Sequence, residues 1–359
     1  MSRLEIDINK IKHNATILKE LFVKKGISIT SVIKGVTGSP EIAKAILECG
    51  ISTIAVSLVQ NIKTLKKSGV KAKFLLTRLP MHTEVADVVK YADISLNTEI
   101  STIKLLSEHS LKQGKRHKVI LMFELGDLRE GILPEDTDSI IEQIIPLKGV
   151  ELHGIGTNLA CFGGVKPSEK NMIELSQIAA RIQEKYNIKL PMISGGNSAN
   201  YEWFLSTENT GKINNLRIGE AILLGRETLH RNKIPKLYTD AFTLICEVIE
   251  SKIKPSLPYG EICQNTFGET PEFADIGNIN RIIIGIGEQD VDTKAITPRI
   301  NAKVIGASSD HLILHSKNHI EVGSEIEFDI NYSALLRLST SPYVKKVFIQ
   351  KSINFNDYD

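Results

Sequence analysis

The chain has 359 residues, of which 42% are hydrophobic and 24% are charged, and its formal net charge is +2. This composition is ordinary for a soluble globular protein, and the small net charge gives no sign of a nucleic-acid partner. No apolar run is long enough to cross a membrane, and the N-terminal residues lack the pattern of a signal peptide. Cys49, Cys161, Cys246 and Cys263 lie far apart without metal-ligand spacing. We therefore expect no metal site, and reduced thiols in a cytoplasmic protein.

The first predicted element in chain order is a short strand, because apolar and polar residues alternate over residues 3–8. A helix is predicted over residues 11–24. The apolar, partly β-branched residues 29–33 then predict a buried strand that ends at Lys34. Glycines and a proline follow the lysine and predict a turn, after which a helix is expected over residues 41–49.

Short apolar runs then alternate with helical stretches through the first two thirds of the chain. Strands and helices that alternate at this spacing are typical of βαβ units and a parallel sheet. Eight such strands close a TIM barrel, so we predict a (β/α)8 barrel over residues 11–229. Its predicted strands begin with residues 31–33 and continue with 53–56, 74–77, 93–96, 118–123, 152–156, 192–194 and 216–218.

Beyond residue 229 the helical periodicity fades, and short alternating segments are separated by turn residues. This pattern is typical of an all-β domain, which we assign to residues 230–359. The N-terminal strand, residues 1–10, is expected to pack with this domain. The predicted strands of the domain are residues 242–249, 281–285, 299–305, 312–315 and 325–330.

Lys34 is the first candidate for chemistry. It stands at the C-terminal end of a predicted strand, and in an α/β barrel that end is the active-site face. Burial lowers the pKa of a lysine, and a neutral amine can form a Schiff base with a carbonyl cofactor. The stretch taken alone also fits a simpler interpretation, in which the lysine extends its ammonium group into solvent.

Four other stretches carry residue types that suit a binding site. Arg129 lies between acidic residues in a turn, where it can bind a carboxylate or form a surface ion pair. Residues 194–200 contain two glycines and small polar residues, which can expose backbone amides to a phosphate. Arg217 lies beside Gly219 near a strand end, and Tyr259 lies in a proline-containing turn. For both of these, a structural role is the common alternative.

In this order, the stretches resemble the fold-type III pyridoxal phosphate enzymes of the alanine racemase type. Within that family the chain is most similar to the branch of alanine and ornithine racemases, and the resemblance covers nearly the whole length. It implies pyridoxal 5'-phosphate as the cofactor and an amino acid as the small-molecule substrate. It also implies a homodimer with active sites at the interface. The lack of a long apolar run predicts no membrane partner.

The resemblance further implies roles for individual residues. Residues 33–35 match the family's Val-Lys-Ala around the Schiff-base lysine, residues 126–129 match Gly-x-Gly-Arg, and residues 197–199 match Asn-Ser-Ala. The implied roles are catalysis for Lys34 and Tyr259, substrate-carboxylate binding for Arg129, and cofactor binding for Lys34, Asn158, Ser198, Arg217, Gly219 and Tyr343. Arg217 is expected to face the pyridine nitrogen, and Tyr343 to reach the phosphate across the dimer.

The sequence departs from the family pattern at three places. A phosphate-side tyrosine is missing after Lys34, and Asn158 stands where the family has a histidine near the cofactor ring. Met122 stands where the family can carry a carbamylated lysine, so Glu124 or Asp127 is expected to supply that negative charge. These changes favour a pocket for a longer substrate, such as ornithine or lysine.

We therefore predict a pyridoxal phosphate-dependent racemase that interconverts L- and D-ornithine by two-base transfer of the α-proton. Racemisation of alanine, lysine or several amino acids is an alternative. A decarboxylase on the same fold is disfavoured, because a charged arginine at position 217 cannot accept a proton from the pyridine nitrogen. A non-catalytic pyridoxal phosphate-binding protein is disfavoured by the β domain that carries Tyr259. Cys263, in the same loop, is the second candidate for the base that complements Lys34.

Overall fold

The computed structural model describes residues 2–350. These residues form two compact units: a barrel unit, residues 9–239, and a sheet unit, residues 2–8 with 240–350. The sequence placed this boundary near residue 230. Residues 230–239 stay with the barrel unit because hydrogen bonds hold them there: Ile234 N donates to Gly225 O at 2.9 Å, and Tyr238 N donates to Asn14 Oδ1 at 2.8 Å.

The structure contains strands and helices in the following order. The strands are β1 (Arg3–Asp7), β2 (Ser28–Val32), β3 (Thr53–Val56), β4 (Lys73–Leu76), β5 (Ile94–Asn97), β6 (His117–Phe123), β7 (Val150–Thr157), β8 (Met192–Ser194), β9 (Asn215–Ile218), β10 (Phe242–Pro255), β11 (Asn278–Ile284), β12 (Ile296–Pro298), β13 (Ala302–Ala307), β14 (Leu312–Ser316), β15 (Glu325–Ile330) and β16 (Lys345–Ile349). The helices are α1 (Ile8–Val23), α2 (Pro40–Glu48), α3 (Val59–Lys67), α4 (Val85–Tyr91), α5 (Ile100–Lys112), α6 (Thr137–Ile144), α7 (Glu169–Tyr186), α8 (Asn200–Ser206), α9 (Glu220–Leu224) and α10 (Tyr332–Thr340).

In the barrel unit, β2 to β9 form a closed barrel in sequence order, and β9 pairs with β2 to complete it. All neighbouring pairs are parallel, so each strand must return through a connection on the outside. Buried apolar side chains of the barrel strands form a hydrophobic cluster, which consists of Ala55, Leu75, Ile94, Leu96, Ile120 and Met122. Buried parallel strands are rich in β-branched and aliphatic residues because both of their faces are covered.

The sheet unit contains an eight-stranded sheet. Its main path runs β12-β15-β10-β11-β14-β13, and the pairs along this path are antiparallel. The N-terminal strand β1 pairs antiparallel with β10 and parallel with β16. A barrel followed by a β domain is the predicted fold class, which is thereby confirmed.

The prediction did not include α10, which begins where the Asn331 side chain accepts hydrogen bonds from the amides of Ser333 and Ala334.

Parallel strands bring the segments that follow them to one end of the barrel. Lys34 follows β2, residues 124–131 follow β6, Asn158 follows β7, residues 195–199 follow β8, and Gly219 follows β9. The expected site residues of the barrel unit are therefore grouped at its carboxyl end, where TIM barrels carry their active sites. Among residues 2–350, no helix combines the length and the apolar character that a membrane span needs.

Candidate active site

Lys34 is held at the barrel end by a tight turn. It opens a short 3-10 helix, Lys34–Val36, one residue after the end of β2. Thr37 N donates to Lys34 O at 3.1 Å, and Gly38 N donates to Ile33 O at 3.0 Å. Thr37 and Gly38 both have positive φ, +51° and +70°, so the chain turns back on itself at this point. The turn fixes the backbone from which the lysine side chain extends.

The electrostatic surroundings of Lys34 favour its neutral form. The residue keeps an exposed surface, yet the surrounding protein removes part of the solvent from its ammonium group. This desolvation is the largest cause that lowers the pKa of Lys34, and the positive charges of Arg129 and Arg217 lower it further. Cys161 and Glu130 act in the opposite direction. A larger fraction of the Lys34 amine is therefore neutral at a given pH than for a lysine in water.

Arg129 is held by its sequence neighbour. Its Nε and Nη2 donate to the two carboxylate oxygens of Glu130, and its Nη1 donates to Cys161 Sγ at 2.8 Å. The Glu130 carboxylate raises the pKa of Arg129 above its ordinary value. The sequence offered Glu124 or Asp127 as the source of negative charge here. Instead, Glu124 accepts from a backbone amide of its own turn, and Asp127 has different partners.

Asp127 ties two loops together. It is only 1% exposed, and its carboxylate accepts from Cys161 N at 3.2 Å and from Phe162 N at 2.9 Å. Its carbonyl oxygen also accepts from Gly163 N at 3.0 Å. The loop after β7 is thereby fastened to the turn after β6, and this brings the Cys161 thiol to Arg129.

Arg217 is a buried cation inside the barrel. It lies on β9 with 4% of its surface exposed, and its Nη1 donates to Ser194 Oγ and its Nη2 to Thr157 O, both at 2.6 Å. Burial, followed by the charge of Arg129, lowers the pKa of Arg217 to about 10, so the group remains charged at neutral pH. Within residues 2–350, no carboxylate forms an ion pair with it, and none of the hydrogen bonds uses its Nε.

A small cradle lies between the ends of β8 and β9. The buried Ser198 hydroxyl accepts from Gly219 N at 3.4 Å and from Ala221 N at 3.2 Å. A Cβ at position 219 would stand 2.9 Å from Val32 O, so only glycine fits where β9 passes β2. Because both amides donate to its oxygen, the Ser198 hydroxyl can direct its own proton to an anion beside the two strand ends.

Asn158 carries an unsatisfied donor at the same end of the barrel. Its Oδ1 accepts from Asn197 Nδ2 at 3.1 Å, while its own Nδ2 is buried and has no hydrogen-bond partner among residues 2–350. A buried polar group without a partner costs about 1–3 kcal/mol. An acceptor on a bound molecule would recover this energy, so the Asn158 amide points to a ligand.

The barrel end thus brings together most of the expected residues: Lys34, Arg129, Asn158, Ser198, Arg217 and Gly219. Tyr259, Cys263 and Tyr343 lie in the sheet unit. Tyr259 is 97% exposed in the segment between β10 and β11, and Tyr343 is 65% exposed before β16. The expected roles of these three residues stay predictions.

Sequence reasoning missed two contacts of Arg129. Glu130 was visible as an acidic neighbour in the turn, but nothing in the sequence says which of the nearby carboxylates reaches the guanidinium. Cys161 is separated from Arg129 by 32 positions in the chain, and a single cysteine in a loop carries no pattern. The hydrogen bonds of Asp127 that place Cys161 beside Arg129 form only in the folded chain.

Known proteins resemble this chain in sequence and in fold. The sequence model of the family described as alanine racemase, N-terminal domain, matches residues 6–227. Ornithine racemase of Acetoanaerobium sticklandii is 43% identical over 350 residues, which cover 96% of this chain and 98% of that protein. Lysine racemase of Thermotoga maritima is 35% identical over 349 residues, with 96% and 98% covered. A solved structure of alanine racemase from Clostridium difficile 630 superposes on this chain with a TM-score of 0.74 at 18% identity. The match covers 97% of this chain and 96% of that one, so the two proteins share the fold.

Proposed function

Since this chain belongs to the alanine racemase family and is an amino-acid racemase, we propose that it interconverts L- and D-ornithine with pyridoxal 5'-phosphate as its cofactor. The observation that carries the choice of ornithine is the 43% identity to an ornithine racemase over 96% of the chain. We further propose that the protein works in the cytoplasm, where its free cysteines would stay reduced.

The residues at the barrel end fit pyridoxal phosphate. The lowered pKa of Lys34 suits an amine that links to a carbonyl. The Ser198 hydroxyl, whose oxygen accepts from the Gly219 amide, can donate its proton to a phosphate. The unsatisfied Nδ2 of Asn158 suits an acceptor at the cofactor ring, and charged Arg217 suits the ring nitrogen. When bound, pyridoxal phosphate supplies the electron sink that makes the α-hydrogen of an amino acid acidic.

The chain's own residues then have distinct tasks. Arg129 binds the α-carboxylate and orients the substrate. The Lys34 amine takes or returns the α-proton on one face, for which a lowered pKa is an advantage near neutral pH. We assign the opposite face to the Tyr259 hydroxyl of a partner subunit in a homodimer, with Cys263 as the alternative base. Arg217 stays charged at neutral pH and cannot take up a proton, so it does not compete for the one being transferred.

Lysine is the second candidate substrate. It differs from ornithine by one methylene group in the side chain, and a lysine racemase is 35% identical to this chain. One methylene in a binding pocket typically changes selectivity by only about 1–3 kcal/mol. Both substrates therefore have to be compared on the same protein.

The test is racemisation itself. Purified holoenzyme is incubated with L-ornithine, L-lysine or L-alanine, and the D-enantiomer is quantified by chiral chromatography while carbon dioxide is monitored. We expect the largest kcat/KM for ornithine, no release of carbon dioxide, and a loss of about 10²–10⁴ in rate for Lys34→Ala. A larger kcat/KM for lysine would select the second candidate, and carbon dioxide release would contradict racemisation.

A further inference from the structure

The guanidinium of Arg129 is held on one edge by the carboxylate of Glu130. We propose that Glu130 is a positioning residue, which fixes the orientation of Arg129 so that its remaining donors are presented to the α-carboxylate of the substrate. The inference rests on the proposed function in one respect, namely that an α-carboxylate is the ligand of Arg129.

The donors of the guanidinium can be accounted for one by one. An arginine has five N–H groups in a single plane. Glu130 accepts from Nε and Nη2 with its two oxygens, and Cys161 Sγ accepts from Nη1. Each terminal nitrogen therefore keeps one further N–H group. Two N–H groups are what a carboxylate needs for a paired contact with arginine.

The local backbone explains why two sequence neighbours can meet. In an extended strand, adjacent side chains point to opposite faces. Here the chain bends at the pair itself, and the preceding Leu128 has a φ of +54°. A Cβ at position 131 would stand 2.3 Å from Glu124 N, so the closing side of the turn requires glycine. The bend allows the Arg129 and Glu130 side chains to converge.

The pair is partly shielded from solvent. The Arg129 side chain is 36% exposed, and the Glu130 side chain is 15% exposed. Arginine has many rotamers, and ordering a long side chain costs up to about 2 kcal/mol of conformational entropy. A carboxylate that orders Arg129 before the substrate arrives removes this cost from binding. Within residues 2–350, Glu130 is the carboxylate that forms an ion pair with Arg129.

The experiment compares two ligands that differ in the α-carboxylate. Ornithine and putrescine, which is ornithine without the carboxylate, are titrated into holoenzyme, and their dissociation constants are measured by calorimetry. For Glu130→Gln and Glu130→Ala we expect the dissociation constant and KM of ornithine to rise by up to about 100-fold, because a displaced side chain can cost that much. Putrescine binding should not change. Glu130→Asp, which keeps the charge, should recover part of the loss.

Two further variants complete the test. Glu135→Gln removes the same charge from an exposed side chain five positions on, and it should leave both ligands unaffected. In an Arg129→Ala background, the further change Glu130→Ala should weaken ornithine no more, because Glu130 acts through Arg129.

The outcomes distinguish the positioning role from the proposed function. If Arg129→Ala weakens ornithine but Glu130→Gln does not, the positioning role is wrong while the assigned role of Arg129 stands. Equal losses for ornithine and putrescine, or additive losses in the double variant, also overturn the positioning role. If Arg129→Ala leaves ornithine binding unchanged, the carboxylate contact in the proposed function is wrong, and the positioning role is wrong with it.

Discussion

At the scale of single residues, the barrel end concentrates positive charge around one amine. Desolvation is the largest cause that lowers the pKa of Lys34, and the charges of Arg129 and Arg217 lower it further, while Cys161 and Glu130 offset them in part. Like charges disfavour the protonated form of an amine, so the two arginines add to the effect of burial and increase the neutral fraction of Lys34.

Replacing Arg129 should therefore change the pKa of Lys34. In Arg129→Met, a cation is removed and Glu130 is left without its partner, and both changes raise the pKa of Lys34. The neutral amine then appears only at higher pH. We expect the rate at which apoprotein takes up pyridoxal phosphate to need a more alkaline pH than in the parent, and its pH dependence measures this. Uptake that keeps the parent pH dependence would contradict the coupling.

Two controls accompany this measurement. Arg181→Met removes a cation from helix α7 on the outside of the barrel and should leave the pH dependence unchanged. Borohydride reduction followed by peptide mapping should place the pyridoxyl label on Lys34, and a label on another lysine would remove the basis of the assignment.

The sequence predicted where Lys34 and Arg217 lie in the fold, but it did not predict the contacts of Arg129. Lys34 and Arg217 lie at or next to strands, whose apolar patterns fix where each strand ends. Arg129 and its partners lie in loops. There, a residue such as Leu128 adopts a positive φ although it is not a glycine, so the residue type does not predict the backbone angle. Loop contacts depend on such backbone angles and on distant residues, and a pattern of residue types does not record them.

At the scale of elements, the barrel strands were predicted well because apolar, β-branched runs bounded by turns have few alternatives. Thr53–Val56 and Met192–Ser194 match the predicted ranges. The helix Tyr332–Thr340 was not foreseen, because a short helix among strands has only two turns in which to show its periodicity.

One strand start carries a buried histidine that links stability to pH. His117 opens β6, is 3% exposed, and its Nε2 lies 2.9 Å from Ser95 Oγ on β5. Burial, with a smaller effect of Lys115, lowers the pKa of His117 to about 4, from an ordinary value of 6.5. Between these two values the unfolded chain binds a proton that the folded chain does not. This contribution to stability is therefore present above pH 6.5 and is lost as the pH falls towards 4.

Replacing this histidine should flatten the pH dependence. His117→Gln keeps a hydrogen-bonding side chain beside Ser95 but cannot be protonated. Between pH 6.5 and pH 4 the parent should lose about 3 kcal/mol more of its unfolding free energy than the variant does. Urea unfolding at a series of pH values measures the difference, with exposed His319→Gln as the control. Parallel curves for parent and His117→Gln would show that His117 is not the group responsible.

At the scale of the whole molecule, the proposed second base lies in the sheet unit. Tyr259 is 97% exposed within residues 2–350, so its hydroxyl is available to another chain. The proposed homodimer would place it beside the Lys34 of its partner. In a symmetric dimer with shared sites, each site needs one intact residue from each chain.

Mixing two inactive variants tests this arrangement. Lys34→Ala and Tyr259→Phe are each expected to lose racemisation, the latter by about 10²–10⁴ in rate. After unfolding and refolding together, half of the dimers are mixed, and each has one intact site, so up to about a quarter of the parent activity should return. Activity that does not return, although mass measurements show mixed dimers, would mean that the two residues do not share a site across subunits.

The tie through Asp127 bears on how the substrate range of this scaffold can be redesigned. The turn that carries Arg129 and the loop that carries Cys161 are joined by three hydrogen bonds to Asp127, and they therefore behave as one cassette. Exchanging residues 124–131 alone, for a segment without this aspartate, would leave the backbone amides of Cys161 and Phe162 without their hydrogen-bond acceptor. Transplanting both loops together preserves the joint, so an engineer should treat residues 124–131 and 158–165 as a single exchangeable part.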